Sequence, residues 1–398
     1  MRLYYGLVIV SYGIVATCIG VGTLTSLSVF LQPVAAELGA SRAGVSSVST
    51  LGFLAMGVGG FIWGTLADRF GTRAVVLAGG VLLGVGLLAA SQARDLTELQ
   101  IAYGLVVGLA AGSSFAPLTA LTSSWFDRHR SLAVALVSMG LGMGTITIAP
   151  LASVIIEAYG WREALMTLSG LAFLIIVPGS LILRQPPPTP AAEIPVGGSD
   201  VDMTVGQALR TPQFAAIALT FFCCCAAHSG PILHMVSFAS LSGAAPLAAT
   251  GMLTVAGAGG LIGRIAMGLA ADRYGAQRLL IAGLALQAVT IALYAVIHDL
   301  MGLFALSVFF GIAYGGVMPL YAVIVREYFG ARIMGTAFGA VTMVSSVGMA
   351  LGPLVGGWLY DQYANYVGMF LSAGVVGLGA VLIAMAFRSP TRVMPSHA

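Results

Sequence analysis

Twelve apolar runs follow one another along this chain, at approximately 5–31, 44–66, 74–92, 97–121, 131–156, 163–183, 213–240, 247–271, 277–297, 301–324, 334–358 and 365–387. Each reaches or approaches the roughly 20 residues that a helix needs to cross the hydrocarbon core of a bilayer. That medium offers no water to unpaired N–H and C=O groups, so each run must close its backbone hydrogen bonds within itself, as a helix. Composition agrees: 59% of the residues are hydrophobic and 8% charged, where a soluble domain carries about 25% charged residues. The chain therefore reads as an all-α membrane protein of twelve spans. Its first run is too long for the core of a signal peptide and lacks a convincing cleavage site.

All 17 basic residues are arginine. Without lysine there is neither a lysine Schiff base nor a Walker-type phosphate loop. The formal charge of +3 is small and spread out, which disfavours nucleic acid as a partner. The four cysteines, Cys18, Cys223, Cys224 and Cys225, lie in apolar runs. Neighbouring cysteines on one helix do not bridge readily, so they are expected to be small apolar fillers, with no disulfide and no metal site.

Between runs six and seven lies RQPPPTPAAEIPVGGSD (184–200), which reads as a solvated linker. It predicts an N-terminal six-helix bundle over 1–183, a cytoplasmic linker over 184–212 and a C-terminal six-helix bundle over 213–398 with a short tail. With the N-terminus cytoplasmic, that side receives Arg2, Arg69, Arg73, Arg128, Arg130, Arg184, Arg210, Arg273, Arg278, Arg326, Arg332, Arg388 and Arg392. The other side receives only Arg42, Arg94 and Arg162. This positive-inside bias puts both termini in the cytoplasm and fits a bacterial inner membrane.

The two halves repeat each other. GTLADRFGTR (64–73) follows span 2 and GLAADRYGAQR (268–278) follows span 8. WFDRHR (125–130) before span 5 corresponds to YFGARI (328–333) before span 11. Parallel repeats about an axis along the membrane normal are an established transporter architecture. With the twelve spans and the 6+6 repeat, the G-x-x-x-D-R-x-G-x-R loop resembles that of the major facilitator superfamily. Gly64, Asp68, Arg69, Gly71 and Arg73 match it fully; Gly268, Asp272, Arg273, Gly275 and Arg278 match it with one extra residue. The resemblance implies the major facilitator fold, with a central cavity between the halves. An Asp-Arg pair at such a helix end can bond a neighbouring helix terminus in one state and release it in another. Asp68, Arg69, Arg73, Asp272, Arg273 and Arg278 are thus the expected gating residues, and Asp68 is expected near Arg69, Arg73 or Arg130 and the end of span 11.

One charge lies well inside a span. GLIGRIAMG (260–268) carries Arg264 and no other polar side chain. An arginine at a helix centre costs about 2.5–3.5 kcal/mol on insertion scales, so it is expected to face a cavity and to have a partner. The spans supply no acid: Glu98, Glu157 and Glu163 lie near span ends, and Asp68, Asp127, Asp272, Glu327 and Asp361 in loops or helix termini. The substrate is the economical counter-ion, because a guanidinium fork fits a carboxylate. The plainer alternative is an arginine that snorkels to the cytoplasmic face and ties backbone carbonyls.

YYGLVIV (4–10), SLSVF (26–30), LHMVSF (233–238) and GRIAMGLAADRYG (263–275) are similar to the monocarboxylate transporter and oxalate/formate antiporter branches of the superfamily. In those families an arginine of span 8 binds the substrate carboxylate, and Arg264 falls on it. Two departures stand out. The span-1 lysine and span-8 acid of animal monocarboxylate transporters fall on Thr25 and Gly260, and the second basic residue of oxalate antiporters, in span 11, is missing from 341–357. One buried positive charge suits a monocarboxylate. The run G-x-x-x-G-P-x-x-G-G from Gly348 to Gly357 reads as close helix packing.

His228 and His234 in span 7 are the candidates to carry a coupling proton, although a histidine in a helix is more often a packing residue. Tyr314 and Met318 share a face of span 10 and are expected to line the cavity, with Ser113, Ser114, Phe115 and Ser345 as weaker candidates against ordinary small-residue packing. The expected function is secondary transport of a small monocarboxylate such as lactate or pyruvate, with a proton in symport, by a monomer in the lipid bilayer. The alternatives are an organic-anion exchanger, a carrier of a larger carboxylated metabolite, and a non-transporting carboxylate receptor. Nothing points to an enzyme or to a cofactor beyond the coupling proton, since the spans hold no His/Asp/Glu constellation.

Overall fold

The computed structural model describes residues 2–40, 42–126, 129–186, 203–244 and 246–387. Twelve helices long and apolar enough to cross a membrane run through them: Tyr4–Phe30, Ser47–Phe70, Thr72–Ser91, Leu96–Trp125, Arg130–Tyr159, Trp161–Ser180, Pro212–Ala239, Gly251–Tyr274, Ala276–Leu293, Leu300–Phe329, Met334–Tyr363 and Val367–Met385. They are numbered span 1 to span 12 in this order. The expected residues Asp127, Arg128, Arg388 and Arg392, the tail, and 187–202 of the linker lie outside the described residues. The described end of the linker holds a short helix, Val205–Leu209, started by a reciprocal cap between Thr204 and Gln207.

Several helices outrun their apolar stretches: span 10 continues through Arg326 and Glu327 to Phe329, and span 11 through Asp361 to Tyr363. Their last turns carry the charge that ends a hydrophobic run without ending a helix. Span 1 breaks at Ser26, between Arg2–Thr25 and Leu27–Leu38. Span 6 widens by a π-type turn over Ala172–Ile176, and the Tyr12 hydroxyl of span 1 donates to the Ile176 carbonyl at 2.7 Å. A carbonyl loosened inside the bundle is thereby given a donor.

Helix pairing repeats with the sequence. Span 1 packs on span 5 as span 7 does on span 11, span 2 on span 4 as span 8 does on span 10, and span 3 on span 6 as span 9 does on span 12. Glycine makes the closest of these contacts possible, since lipid gives apolar helices no hydrophobic reason to associate and leaves packing to decide. Gly22 meets Gly144 between spans 1 and 5, and Gly315 meets Gly260 between spans 10 and 8. Gly348, Gly352 and Gly356 of the span-11 glycine run lie against Phe222, Ser229 and His234 of span 7. That run packs helices, as expected.

Between the halves, span 2 packs on span 11 and span 5 on span 8. These contacts lie toward the face that carries the two D-R-x-G loops, hereafter the motif face. Gly57, Gly60 and Gly64 approach Ser346, Thr342 and Gly335, while Gly142 and Gly268 approach Leu261 and Ala135. Farther from that face, Gly52, Gly251, Gly352 and Gly356 approach only helices of their own half. An apolar cluster spans the same level, joining Ala116 and Val134 to Tyr321, Ile324, Phe338 and Val341. The halves are sealed at the motif face.

Because a Cβ at Gly144 would overlap the backbone of Gly22, Gly144→Val should cost about 1–3 kcal/mol by overpacking. Gly170→Ala, where a Cβ meets nothing within 4 Å, should be neutral or slightly stabilising. Thermal melting of the two purified variants in detergent checks the contrast.

Candidate functional site

The seal has two charged latches. Span 11 starts at Met334 behind Ile333, and span 5 at Arg130 behind His129; neither preceding side chain caps its helix. Their free N–H groups are satisfied from the other half. The Asp68 carboxylate, at the end of span 2, accepts from Gly335 N at 3.0 Å, Thr336 N at 2.6 Å and the Thr336 hydroxyl at 2.7 Å. The Asp272 carboxylate, at the end of span 8, accepts from Ser131 N at 2.9 Å and Leu132 N at 3.2 Å. A negative charge at a helix N-terminus also meets the positive end of the helix dipole.

The expected ion pairing is not what holds these aspartates. Arg69, Arg73, Arg273 and Arg278 are exposed, and among the described residues none pairs with Asp68 or Asp272. Arg69 and Arg273 lie over the rings of their own neighbours, Phe70 and Tyr274. The cause is geometric: each carboxylate faces a helix start, where several N–H groups converge without the entropy cost of fixing a long side chain.

Above the seal sits Arg264. Its helix runs Pro246–Tyr274, which places it roughly 15 Å from the helix end at 1.5 Å per residue. It is 2% exposed, its Nε is buried without a hydrogen-bond partner, and no carboxylate pairs with it among the described residues. The guanidinium lies over the Tyr314 ring, 5.7 Å from its centre. Glycines on two sides admit it: a Cβ on Gly260 would lie 3.2 Å from Nη1, and one on Gly142 3.3 Å. Gly142 belongs to span 5, so this arginine of one half abuts the backbone of the other. The charge does not snorkel.

His228, also 2% exposed, stacks at a tilt on Tyr314 with ring centres 5.1 Å apart and lies within electrostatic reach of Arg264. Its Nδ1 lies 2.8 Å from the Cys224 carbonyl, which also accepts from Gln287 Nε2 at 3.3 Å. A carbonyl only accepts, so Nδ1 carries the proton in this geometry and Nε2 is the acceptor. His234 sits elsewhere. Its Nε2 lies 3.1 Å from the Pro353 carbonyl and its Nδ1 3.3 Å from the Tyr366 hydroxyl, so both ring nitrogens brace span 7 against span 11 and the loop after it.

The weaker candidates disperse. Ser113 points at Gly79 of span 3 and Ser114 at Gly20 of span 1, both inside the N-terminal half. Ser345 donates to the Thr342 carbonyl and lies beside Cys225 of span 7. These three serines pack helices of one half and do not join Arg264. Phe115 does reach the other half, edge-on to Phe338 at 5.7 Å, but within the seal. Met318 packs against the apolar cluster that joins the two halves in the seal. Gly260 is closed against Gly311 and Tyr314 of span 10. Sequence reasoning missed Gly142, hidden among the glycines of span 5, and Gln287, whose amide inside an apolar span was a visible signal. The cysteines are unbridged as expected, yet not purely apolar: Cys224 Sγ donates to Gln287 Oε1 at 3.7 Å.

The sequence profile of the Major Facilitator Superfamily matches residues 13–268 and, in a second match, 229–397. The chain belongs to that superfamily. Monocarboxylate transporter 13 of Bos taurus is 32% identical over 379 residues, covering 93% of this chain and 88% of that protein. An uncharacterized transporter of the superfamily from Escherichia coli, YhjX, is 25% identical over 345 residues, covering 84% of each. In fold, the chain is similar to the proton:xylose symporter XylE, with a TM-score of 0.79 and 14% identity over 97% of this chain and 96% of that one. The transporter FucP in its outward conformation gives 0.72 and 14%, over 96% and 99%. The protein is thus a multi-pass membrane transporter and not an enzyme.

For a transporter sealed by two carboxylate caps, each cap should bias the conformational equilibrium. Losing one costs about 0.5–2 kcal/mol, a factor of roughly 2–30 in population. Asp68→Ala and Asp272→Ala should each raise by that factor the maleimide labelling rate of a cysteine placed at Val134, which is buried in the seal. Labelling in the absence of substrate, on a background without native cysteines, is the measurement. An unchanged rate in both variants contradicts the latch.

Proposed function

We propose that this transporter carries a small monocarboxylate, of the lactate or pyruvate kind, and that a proton moves with it. The observation that carries the reading is Arg264: a guanidinium buried mid-helix, with an unpaired Nε, no acid paired with it among the described residues, and both halves of the protein in contact with its surroundings. A buried charge of this kind needs an opposite charge, and a carboxylate that docks two-pronged on the guanidinium supplies one. The printed names of the relatives, monocarboxylate transporters 13 and 11, support the same class of substrate. Dicarboxylates fit less well, because no second buried cation accompanies Arg264 among the described residues.

Transport follows from position. An anion on Arg264 lies at the inner end of the motif-face seal, where Gly142 brings span 5 against the guanidinium. It reports to both halves at once. Opening the seal would expose it to the other side of the membrane, which is alternating access with the anion as the pivot. In the proposed orientation the motif face is cytoplasmic and the membrane a bacterial inner membrane, as the arginine distribution favours, and the carrier works as a monomer.

Arg264→Gln should abolish uptake of labelled lactate into proteoliposomes and weaken its binding by at least tenfold, while the protein still inserts and folds. Arg264→Lys should also fail badly, because an ammonium keeps the charge but loses the planar fork. Binding measured on monodisperse purified protein separates loss of the site from loss of the fold. Wild-type affinity in Arg264→Gln would remove the anion site, and uptake indifferent to a pH gradient and to a protonophore would turn symport into exchange.

A further inference from the structure

The proposed reading leaves open where the proton travels, since Thr25 and Gly260 stand where animal monocarboxylate transporters hold a lysine and an acid. The two histidines of span 7 differ in the one respect that matters. Both ring nitrogens of His234 have partners, the Pro353 carbonyl and the Tyr366 hydroxyl. In His228, Nδ1 is engaged with the Cys224 carbonyl, while Nε2 makes no hydrogen bond among the described residues. The free acceptor therefore belongs to the histidine that shares the Tyr314 ring with Arg264.

From the framework of the anion site just proposed, we infer that His228 Nε2 is the seat of the coupling proton and that this proton is held only together with the anion on Arg264. The groups around His228 leave Arg264 as its charged neighbour. Span 7 itself gives Cys224, span 9 gives Gln287 through the shared Cys224 carbonyl, span 10 gives Tyr314 and span 8 gives Arg264. Spans 11 and 12 approach this part of span 7 through Gly348, Gly352 and Gly377. A proton on Nε2 without an anion would set two cations side by side in the membrane interior, the most expensive state available to the site. A carboxylate on Arg264 cancels one of them and can accept from the new Nε2–H. The charge count of the site closes: the empty carrier holds Arg264 alone, and the loaded carrier holds Arg264, one anion and one proton, with the same net charge. Proton alone is the excluded state, so the device blocks a proton leak. Because linkage is reciprocal, the proton must strengthen anion binding by the factor by which the anion strengthens proton binding.

The test is proton counting. Lactate added to the purified wild-type protein in weakly buffered solution near neutral pH should take up one proton per anion bound, read with a pH indicator. The apparent lactate affinity should fall about tenfold for each unit of rising pH, the slope that linkage requires for one co-bound proton. His228→Gln keeps an amide able to donate to the Cys224 carbonyl. It should bind lactate with no proton uptake and a pH dependence flat within twofold, exchange labelled for unlabelled lactate, and fail to accumulate it under an inward pH gradient. His228→Asn serves as the second variant, and His234→Gln should keep the wild-type slope. One proton per lactate persisting in His228→Gln or His228→Asn, or a slope lost in His234→Gln, overturns the assignment. The failure of the underlying reading looks different: wild-type protein would bind no lactate, or Arg264→Gln would bind it unchanged, before His228 is touched.

Discussion

A helix that begins inside a protein leaves N–H groups with nothing to bond, and in this transporter two of those debts are settled across the molecular midline. Spans 5 and 11 start behind His129 and Ile333, which do not cap them, and Asp272 and Asp68 of the opposite halves take over. Asp272 follows Asp68 by the same interval at which Gly335 follows Ser131, so the repeat writes the latch twice. The sealed motif face, the packing of span 2 on span 11 and of span 5 on span 8, and the burial of Phe338 and Val134 all lie on the same side of the molecule as these caps. Both must break for the halves to part there, which favours a concerted change over a graded one.

Arg264 is the complementary element. The latches hold charge at a helix end, where water and dipoles can share the cost; Arg264 holds it in the middle, against glycine and aromatic surfaces. Small residues decide this. Gly142 and Gly260 leave room for a planar cation between three helices, and Tyr314 offers it the negative face of a ring, an interaction worth about 0.5–2 kcal/mol. That is too little to replace a full counter-ion, and this shortfall is the physical basis of the proposed anion site.

Much of this was legible in the sequence and some was not, for physical reasons. The twelve spans follow from lengths of apolar sequence, and Arg264 stood out because it is the lone polar side chain of GLIGRIAMG. The acidic side of each latch was visible in Asp68 and Asp272. The receiving side was not, because backbone N–H groups leave no letter in a sequence. Ser113 and Ser114 could not be assigned a direction: span 4 is small and apolar all round, and both its faces are covered by helices, so periodicity carries no facing signal. His234 lies within the family-like stretch 233–238, yet the distinction from His228 lies in hydrogen-bond partners 119 and 132 residues away in the chain.

The receiving ends of the latches have a consequence for what the chain can tolerate. A bond accepted from a main-chain N–H asks nothing of the side chain that sits there, so Ser131 and Leu132 can serve the same role as Gly335 and Thr336 although they share no chemistry. Only proline, which has no N–H, takes the bond away directly. At Gly335 a second limit is size, since a Cβ would lie 2.6 Å from an Asp68 oxygen. Each latch is therefore strict at its aspartate and looser at the backbone that receives it: drift can rewrite Ser131 and Leu132 more freely than Gly335, held by size, or Thr336, whose hydroxyl adds a bond of its own.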